Sequence, residues 1–153
     1  MKVLLDFITN HFIVTSVFSW CFAQVCKVFI HAAVHKDFDI LRLFGDGGMP
    51  SGHSATVSSL ATLAALEYGA GSFQFGVCAI LAIIVCHDAT HVRLETQKQA
   101  AIILELQQMF ENLPDMKLKE FVGHTPVQVG AGVLIGILNA CVSHFWILPA
   151  LGI

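Results

Sequence analysis

The sequence predicts an all-α fold: a polytopic membrane helical bundle with about four spanning helices plus one amphipathic helix. Three observations predict it. Charged residues are 12% of the 153, against about 25% in an ordinary soluble domain. Hydrophobic residues are 56%, and mean hydropathy is +0.73. The charges are also clustered. Lys27 is the only one between residues 7 and 34, Glu67 the only one between 47 and 87, and 121–153 carries none.

A membrane span needs about 20 mostly apolar residues. The uncharged stretches therefore place spans over about 7–34, 52–70, 73–92 and 126–150. The second is the least typical, because its start is rich in Ser and Thr. Gly69-Ala70-Gly71-Ser72 separates the second from the third as a tight hairpin. Between the third and fourth, Ala101, Ile103, Leu104 and Phe110 fall at helical spacing among Lys98, Glu105 and Gln108. That pattern predicts an amphipathic helix over 97–110, lying on the membrane interface or against the bundle. The last span contains Gly132-Val-Leu-Ile-Gly136, a GxxxG that permits close helix approach and offers a homodimer contact.

Length fits one domain, so 1–153 reads as a single membrane-embedded unit. The apolar N-terminal region is long, contains Lys27 and lacks a small-residue cleavage pattern, so a signal peptide is not expected. A formal net charge of -3 without a basic stripe gives no reason to expect nucleic acid. Cys21, Cys26, Cys78, Cys86 and Cys141 are odd in number and form no CxxC, resembling neither a disulfide framework nor a zinc knuckle.

Four alternating spans bring three polar stretches to one side of the membrane: the 35–51 loop, the end of the third span and the start of the fourth. Ionisable residues at a membrane edge are costly, so their convergence there marks a site. Lys27 lies inside the end of the first span, where it either snorkels outward or faces the bundle as an anion partner. Gly45-Asp-Gly-Gly-Met-Pro-Ser-Gly-His-Ser54 runs into the second span. Pro50 suits a helix beginning and Ser51 or Ser54 a cap. The free N–H groups there, Gly52 included, attract an anion such as phosphate. A capped glycine turn would not explain His53, which is placed to trade a proton with a bound group. At Gly123-His124-Thr125-Pro126-Val127-Gln128, Thr125 caps another helix, and Gln128 could orient the His124 ring. At Cys86-His87-Asp88-Ala-Thr-His91-Val-Arg93, Arg93 suits bidentate phosphate binding, and Asp88 can orient it or His53. His87 and His91 also have the i, i+4 spacing of zinc hydrolases, although Asp is short for the Glu of that motif.

These stretches carry a family resemblance. Met49-Pro-Ser-Gly-His53 resembles the motif of type 2 phosphatidic acid phosphatases, relatives of the vanadium haloperoxidases. Residues 47–57, Asp88-Ala with Val92-Arg93, Gln99-Ala100 and 118–126 are together similar to the divergent branch of that group, small membrane proteins of about this length. The resemblance implies a helical, phosphatase-like domain that transfers phosphoryl groups without a metal or other cofactor. It implies His124 as nucleophile and His53 as general acid, through a phosphohistidine. Lys27, Arg93 and Arg42 would hold the phosphate, with Ser51 and Gly52 assisting. Three departures stand out. Lys27 is followed by no Arg-Pro, Arg93 is far from His124, and Gln128 replaces an acid. They predict a slower enzyme, or one in which Asp88 supplies the charge.

The expected substrate is a lipid phosphate or prenyl pyrophosphate, its tail in the bilayer and its head in the polar cluster. The alternatives are a catalytically weak lipid- or phosphate-binding membrane protein and a metal-dependent hydrolase using His87 and His91. The expected location is a multi-pass integral position in the cell membrane. Lys36, Arg42, Arg93, Lys98, Lys117 and Lys119 all fall on the site side, which the positive-inside rule makes cytoplasmic.

Overall fold

The structure, a computed structural model, describes residues 2–45, 47–110, 118 and 123–152. Lys117, Lys119, Asp46 and residues 119–122 of the 118–126 string lie outside the described residues. The rest is helical: α1 (Lys2–Ile8), α2 (His11–His35), a 3-10 turn (Ile40–Phe44), α3 (Gly52–Tyr68), α4 (Phe73–Thr90), α5 (Val92–Met109) and α6 (Pro126–Val142). A π-helical stretch (Ser143–Ile147) and the short α7 (Leu148–Leu151) continue α6.

Capping fixes where the helices begin. The Asn10 carboxamide accepts from the N–H groups of Phe12 and Ile13, starting α2. Ser51 caps α3, Ser72 caps α4, and Thr125 with Gln128 forms a capping box at α6. At the other end of α2, Lys36 takes a left-handed conformation with φ 55° and stops the helix. The expected hairpin at 69–72 joins α3 to α4, with Gly69 at φ 84°.

Three helical stretches among the described residues are long and apolar enough to cross a membrane: His11–His35, Phe73–Met109 and Pro126–Leu151. The expected count of four is corrected at α3. That helix has 17 residues and sits at the centre, packed against α6, α2 and α4. A central helix meets protein instead of lipid, so it does not need a long apolar surface. Its buried face is Gly52, Ser54, Ala55, Ser58, Ser59, Ala61, Leu63 and Ala64. Thr56 donates its hydroxyl to the Gly52 carbonyl at 2.8 Å and Ser59 to that of Thr56 at 2.9 Å. Such local bonds satisfy the hydroxyls inside the bundle. The lipid-facing apolar surface lies on the outer helices. Phe73, Val77, Ile80, Leu81, Ile83 and Ile84 of α4 are all exposed, and only Ala89 of that helix is buried.

α5 extends α4 after a break at His91 and is the expected amphipathic helix, beginning five residues earlier than its periodicity suggests. Only Ala100 of α5 is buried, so it lies along the bundle's edge.

Small residues bring α6 onto α3. A Cβ on Gly132 would collide with the Ser51 carbonyl oxygen and stand 2.6 Å from the Ser54 hydroxyl. One on Gly136 would collide with the Ala55 carbonyl oxygen and stand 2.9 Å from the Ser59 nitrogen. The GxxxG is thus filled within the chain by α3, not left open as a surface for a second copy. Gly130, two residues before Gly132 and on another face of α6, has open space around it. Gly136→Ala should destabilise the protein by about 1–3 kcal/mol through overpacking. Gly130→Ala should be neutral or raise stability by about 0.5–1 kcal/mol. Thermal unfolding of the two variants in detergent checks the contrast, and equal midpoints would contradict this packing.

Candidate functional site

The polar end of the bundle is assembled by backbone contacts between the three stretches. The Ser51 N–H donates to the Gln128 carbonyl at 3.0 Å, so the starts of α3 and α6 are tied together. The His124 N–H donates to the Ala89 carbonyl at 3.1 Å, which pins the segment before α6 to the end of α4. The Gly123 N–H donates to the Gln97 side chain at 3.2 Å. A Cβ on Gly123 would stand 2.5 Å from the Leu94 Cα, so only glycine permits this approach to α5. The 35–51 loop is held from α2. Gln24 donates its amide to the Leu43 carbonyl at 2.7 Å, and Lys27 Nζ donates to the Gly45 carbonyl at 2.8 Å.

Lys27 is only 3% exposed. It faces the bundle, which removes the snorkelling alternative. Its stem runs beside Gly48, whose φ of 96° favours glycine. A buried ammonium is costly without compensation, so its position near two helix starts is a strong local constraint.

His124 is 1% exposed, and among the described residues neither of its ring nitrogens has a partner at good hydrogen-bonding geometry. Its ring centroid lies 6.4 Å from that of His53, at 62°. The two histidines therefore share one end of the molecule, although 71 residues separate them in sequence. Burial pushes the His124 pKa below its ordinary 6.5, and the charges of Lys27 and His53 push the same way. Polar atoms of the Gln128 side chain and the Gly48 backbone offset part of that shift. The ring is thus held neutral to lower pH than a free histidine.

Two cavities lie beside Gly48 and Gln128, the polar neighbours of His124. The larger, about 500 Å³, is lined by Arg42, Gly47, Gly48, Gln97, Thr125 and Gln128 among others. The smaller, about 240 Å³, contains Lys27, His31, His35 and Arg42 and shares Gly48 and Gln128 with the first. Arg42 is paired with Asp39 at 3.7 Å, a long contact that an incoming anion can displace. His124 itself lines neither cavity. Its polar neighbours Gly48 and Gln128 line both, so a substrate must displace or pass this glycine segment to reach the ring.

The remaining expected site residues are placed differently. Ser51 is fully buried and committed as the α3 cap, its hydroxyl accepting from the Ser54 N–H at 3.4 Å. Gly52 is buried against Trp20. Gln128 contributes its side-chain oxygen to the capping box, accepting from the Thr125 N–H at 3.0 Å. Asp88 and Arg93 bind each other, Nε to Oδ2 at 2.6 Å, and line neither cavity. His87 and His91 are exposed and stacked, with centroids 4.2 Å apart and planes 5° from parallel. Parallel rings do not converge their nitrogens on one ion. Among the described residues no group of three His, Cys, Asp or Glu side chains is arranged to hold a metal.

Gln24, His31, His35 and Gln97 were not anticipated. For the first three the signal was present: with Lys27 they form a polar stripe, at positions 24, 27, 31 and 35, along one face of an otherwise apolar helix.

Comparison with known proteins identifies relatives of this chain. The uncharacterized membrane protein YuiD of Bacillus subtilis (strain 168) is 37% identical over 158 residues, covering 94% of this chain and 100% of that protein. No solved structure matches. The divergent PAP2 family matches residues 8–139, a span that contains both paired histidines, Lys27 and the joined helix starts; this membrane protein belongs to that family.

Proposed function

We propose that the chain is an integral-membrane phosphatase acting on a lipid phosphate or isoprenoid diphosphate through a phosphohistidine. The observation that carries this reading is His124: buried, held neutral, with neither ring nitrogen in a well-formed hydrogen bond among the described residues, and within one ring-to-ring step of a second histidine. An imidazole buried without hydrogen bonds costs stability, and a nucleophile awaiting its substrate accounts for that cost.

The chemistry follows from placement. A His124 nitrogen attacks phosphorus, the P–O bond to the leaving group breaks, and His53 delivers a proton to the departing oxygen. Water then cleaves the N–P bond and releases inorganic phosphate. Phosphoryl transfer needs positioning and positive potential more than covalent activation. Lys27, Arg42 and the starts of α3 and α6 supply both without requiring a metal. The headgroup enters the two cavities while the tail stays among the outer helices. The site faces the cytoplasm of the cell membrane, since Lys36, Arg42, Arg93 and Lys98 cluster on that side.

A second reading is lipid binding with little turnover. It is favoured by Gln128 standing where an acid would stabilise an imidazolium, and by Arg93 being tied to Asp88. Phosphate release from a panel of lipid phosphates by the purified full chain separates the two readings. The phosphatase reading expects release from the native protein, inhibition by vanadate, loss of about 10²–10⁴-fold in His53→Ala and no detectable turnover in His124→Asn. Tight lipid binding without release from the native protein would leave the binding reading instead.

The pH dependence has a definite sign. Attack requires the neutral ring, and burial holds the His124 pKa low. The acid limb of kcat/KM should therefore lie below the ordinary histidine value of 6.5. A pH–rate profile with its acid limb at or above that value would contradict a buried neutral nucleophile.

A further inference from the structure

The smaller cavity has a composition that attack on a single phosphate does not require. Lys27, His31, His35 and Arg42 line it together with Ile30, Val34 and Met49. The three apolar residues are exposed on the bundle's outer surface. His31 and His35 stack one turn apart on α2, with centroids 4.3 Å apart. The His31 ring makes no hydrogen bond among the described residues, and His35 makes only a 3.3 Å contact to the His31 carbonyl. Two histidines, a lysine and an arginine thus surround a cavity whose outer wall is apolar. The cavity meets the larger one at Arg42, Gly48 and Gln128.

We propose that His31 and His35 bind the second, non-reacting phosphate of a lipid diphosphate, and so select diphosphates over monophosphates. This rests on the phosphatase reading for the direction of the reaction, but the subsite is a binding claim in its own right. The terminal phosphate lies towards His124, beside Gly48 and Gln128. The inner phosphate lies in the smaller cavity, between the paired imidazoles and Arg42. The tail leaves past Ile30, Val34 and Met49 into the bilayer. Both histidines lie in the last two turns of α2, close to the loop that bears Arg42, at the depth of lipid headgroups. In the reaction the bond from the terminal phosphorus to the bridging oxygen breaks. The electron pair stays on that oxygen, His53 supplies its proton, and the lipid leaves as a monophosphate.

The chemistry also argues against a single phosphate lodged here. An anion in the smaller cavity alone meets Lys27, Arg42 and the imidazoles but not Gln97 or Thr125 of the larger one. One in the larger cavity alone leaves the His31–His35 pair unused. A diphosphate spans both through the shared Arg42, and charge-assisted bonds at each end add to its affinity.

Binding of farnesyl diphosphate and farnesyl monophosphate to the full chain in detergent tests the proposal without relying on turnover. The measurement is made in His124→Asn, so that neither probe is consumed, and repeated with His31→Asn and His35→Asn added. The diphosphate should bind at least about tenfold more tightly than the monophosphate, and the added pair of substitutions should reduce that ratio by about fivefold or more. A merely structural role would weaken both probes in parallel and leave the ratio unchanged, which would overturn the assignment. So would an absence of diphosphate preference before the substitutions. Phosphate release from the same two lipids by the native chain reads the phosphatase proposal separately. Loss of preference without any release would uphold the subsite and sink the enzyme.

Discussion

The polar end of this molecule depends on one backbone hydrogen bond, from the Ser51 N–H to the Gln128 carbonyl. It holds the starts of α3 and α6 side by side, so that two positive helix ends share one end of the molecule. The bond exists because α6 can lie on α3 without Cβ atoms at Gly132 and Gly136. His53 follows the first helix start and His124 precedes the second, so joining the starts joins the imidazoles. A glycine pair in the middle of a membrane helix thereby determines the geometry of residues several turns away.

Electrostatics explain why this arrangement suits an anion. Lys27 is buried, Arg42 is held by a long contact to Asp39, and the positive helix ends add to both. Few acidic groups balance them locally: Asp39 is the one that lines the larger cavity among the described residues. The same field that attracts phosphate discourages a proton on His124, since each added positive charge raises the cost of imidazolium. In the proposed reaction, substrate binding would reverse this. A phosphate placed among the cations would cancel much of their field, and the ring would become easier to charge as the N–P bond formed.

The helical class and the convergence of three stretches were legible because charge is so scarce that each ionisable residue had to be accounted for. The hairpin and the helix starts were legible because Gly69, Ser51, Ser72 and Thr125 act locally. The role of α3 was not. A Ser- and Ala-rich segment between apolar spans reads as a weak membrane helix, and only tertiary packing reveals it as the sheathed centre. The GxxxG was recognised, but sequence cannot say whether a small-residue groove meets another chain or its own neighbour. The His31–His35 face shows in the sequence only as part of a polar stripe on α2, since these two histidines belong to no motif. Their meaning comes from the loop that returns over α2, a contact made by Gln24 and Lys27 with backbone carbonyls that have no residue-type signature.

Gln128 is the departure with the largest mechanistic consequence. A carboxylate beside a nucleophilic histidine stabilises the imidazolium-like phosphohistidine and favours a proton on the ring beforehand. A neutral amide does less of both. In a polar, solvated site that exchange would mainly slow the reaction. Here the ring is buried beside Lys27 and His53, and a carboxylate would counter the burial that holds it neutral. The amide also completes the α6 capping box through the Thr125 N–H, so the residue beside the His124 ring is the one that fixes the helix start. Positional rigidity takes the place of charge at this position. On the proposed mechanism, the stabilisation an acid would have supplied would come from the substrate's own phosphate oxygens, which suits a ligand carrying more than one anionic group.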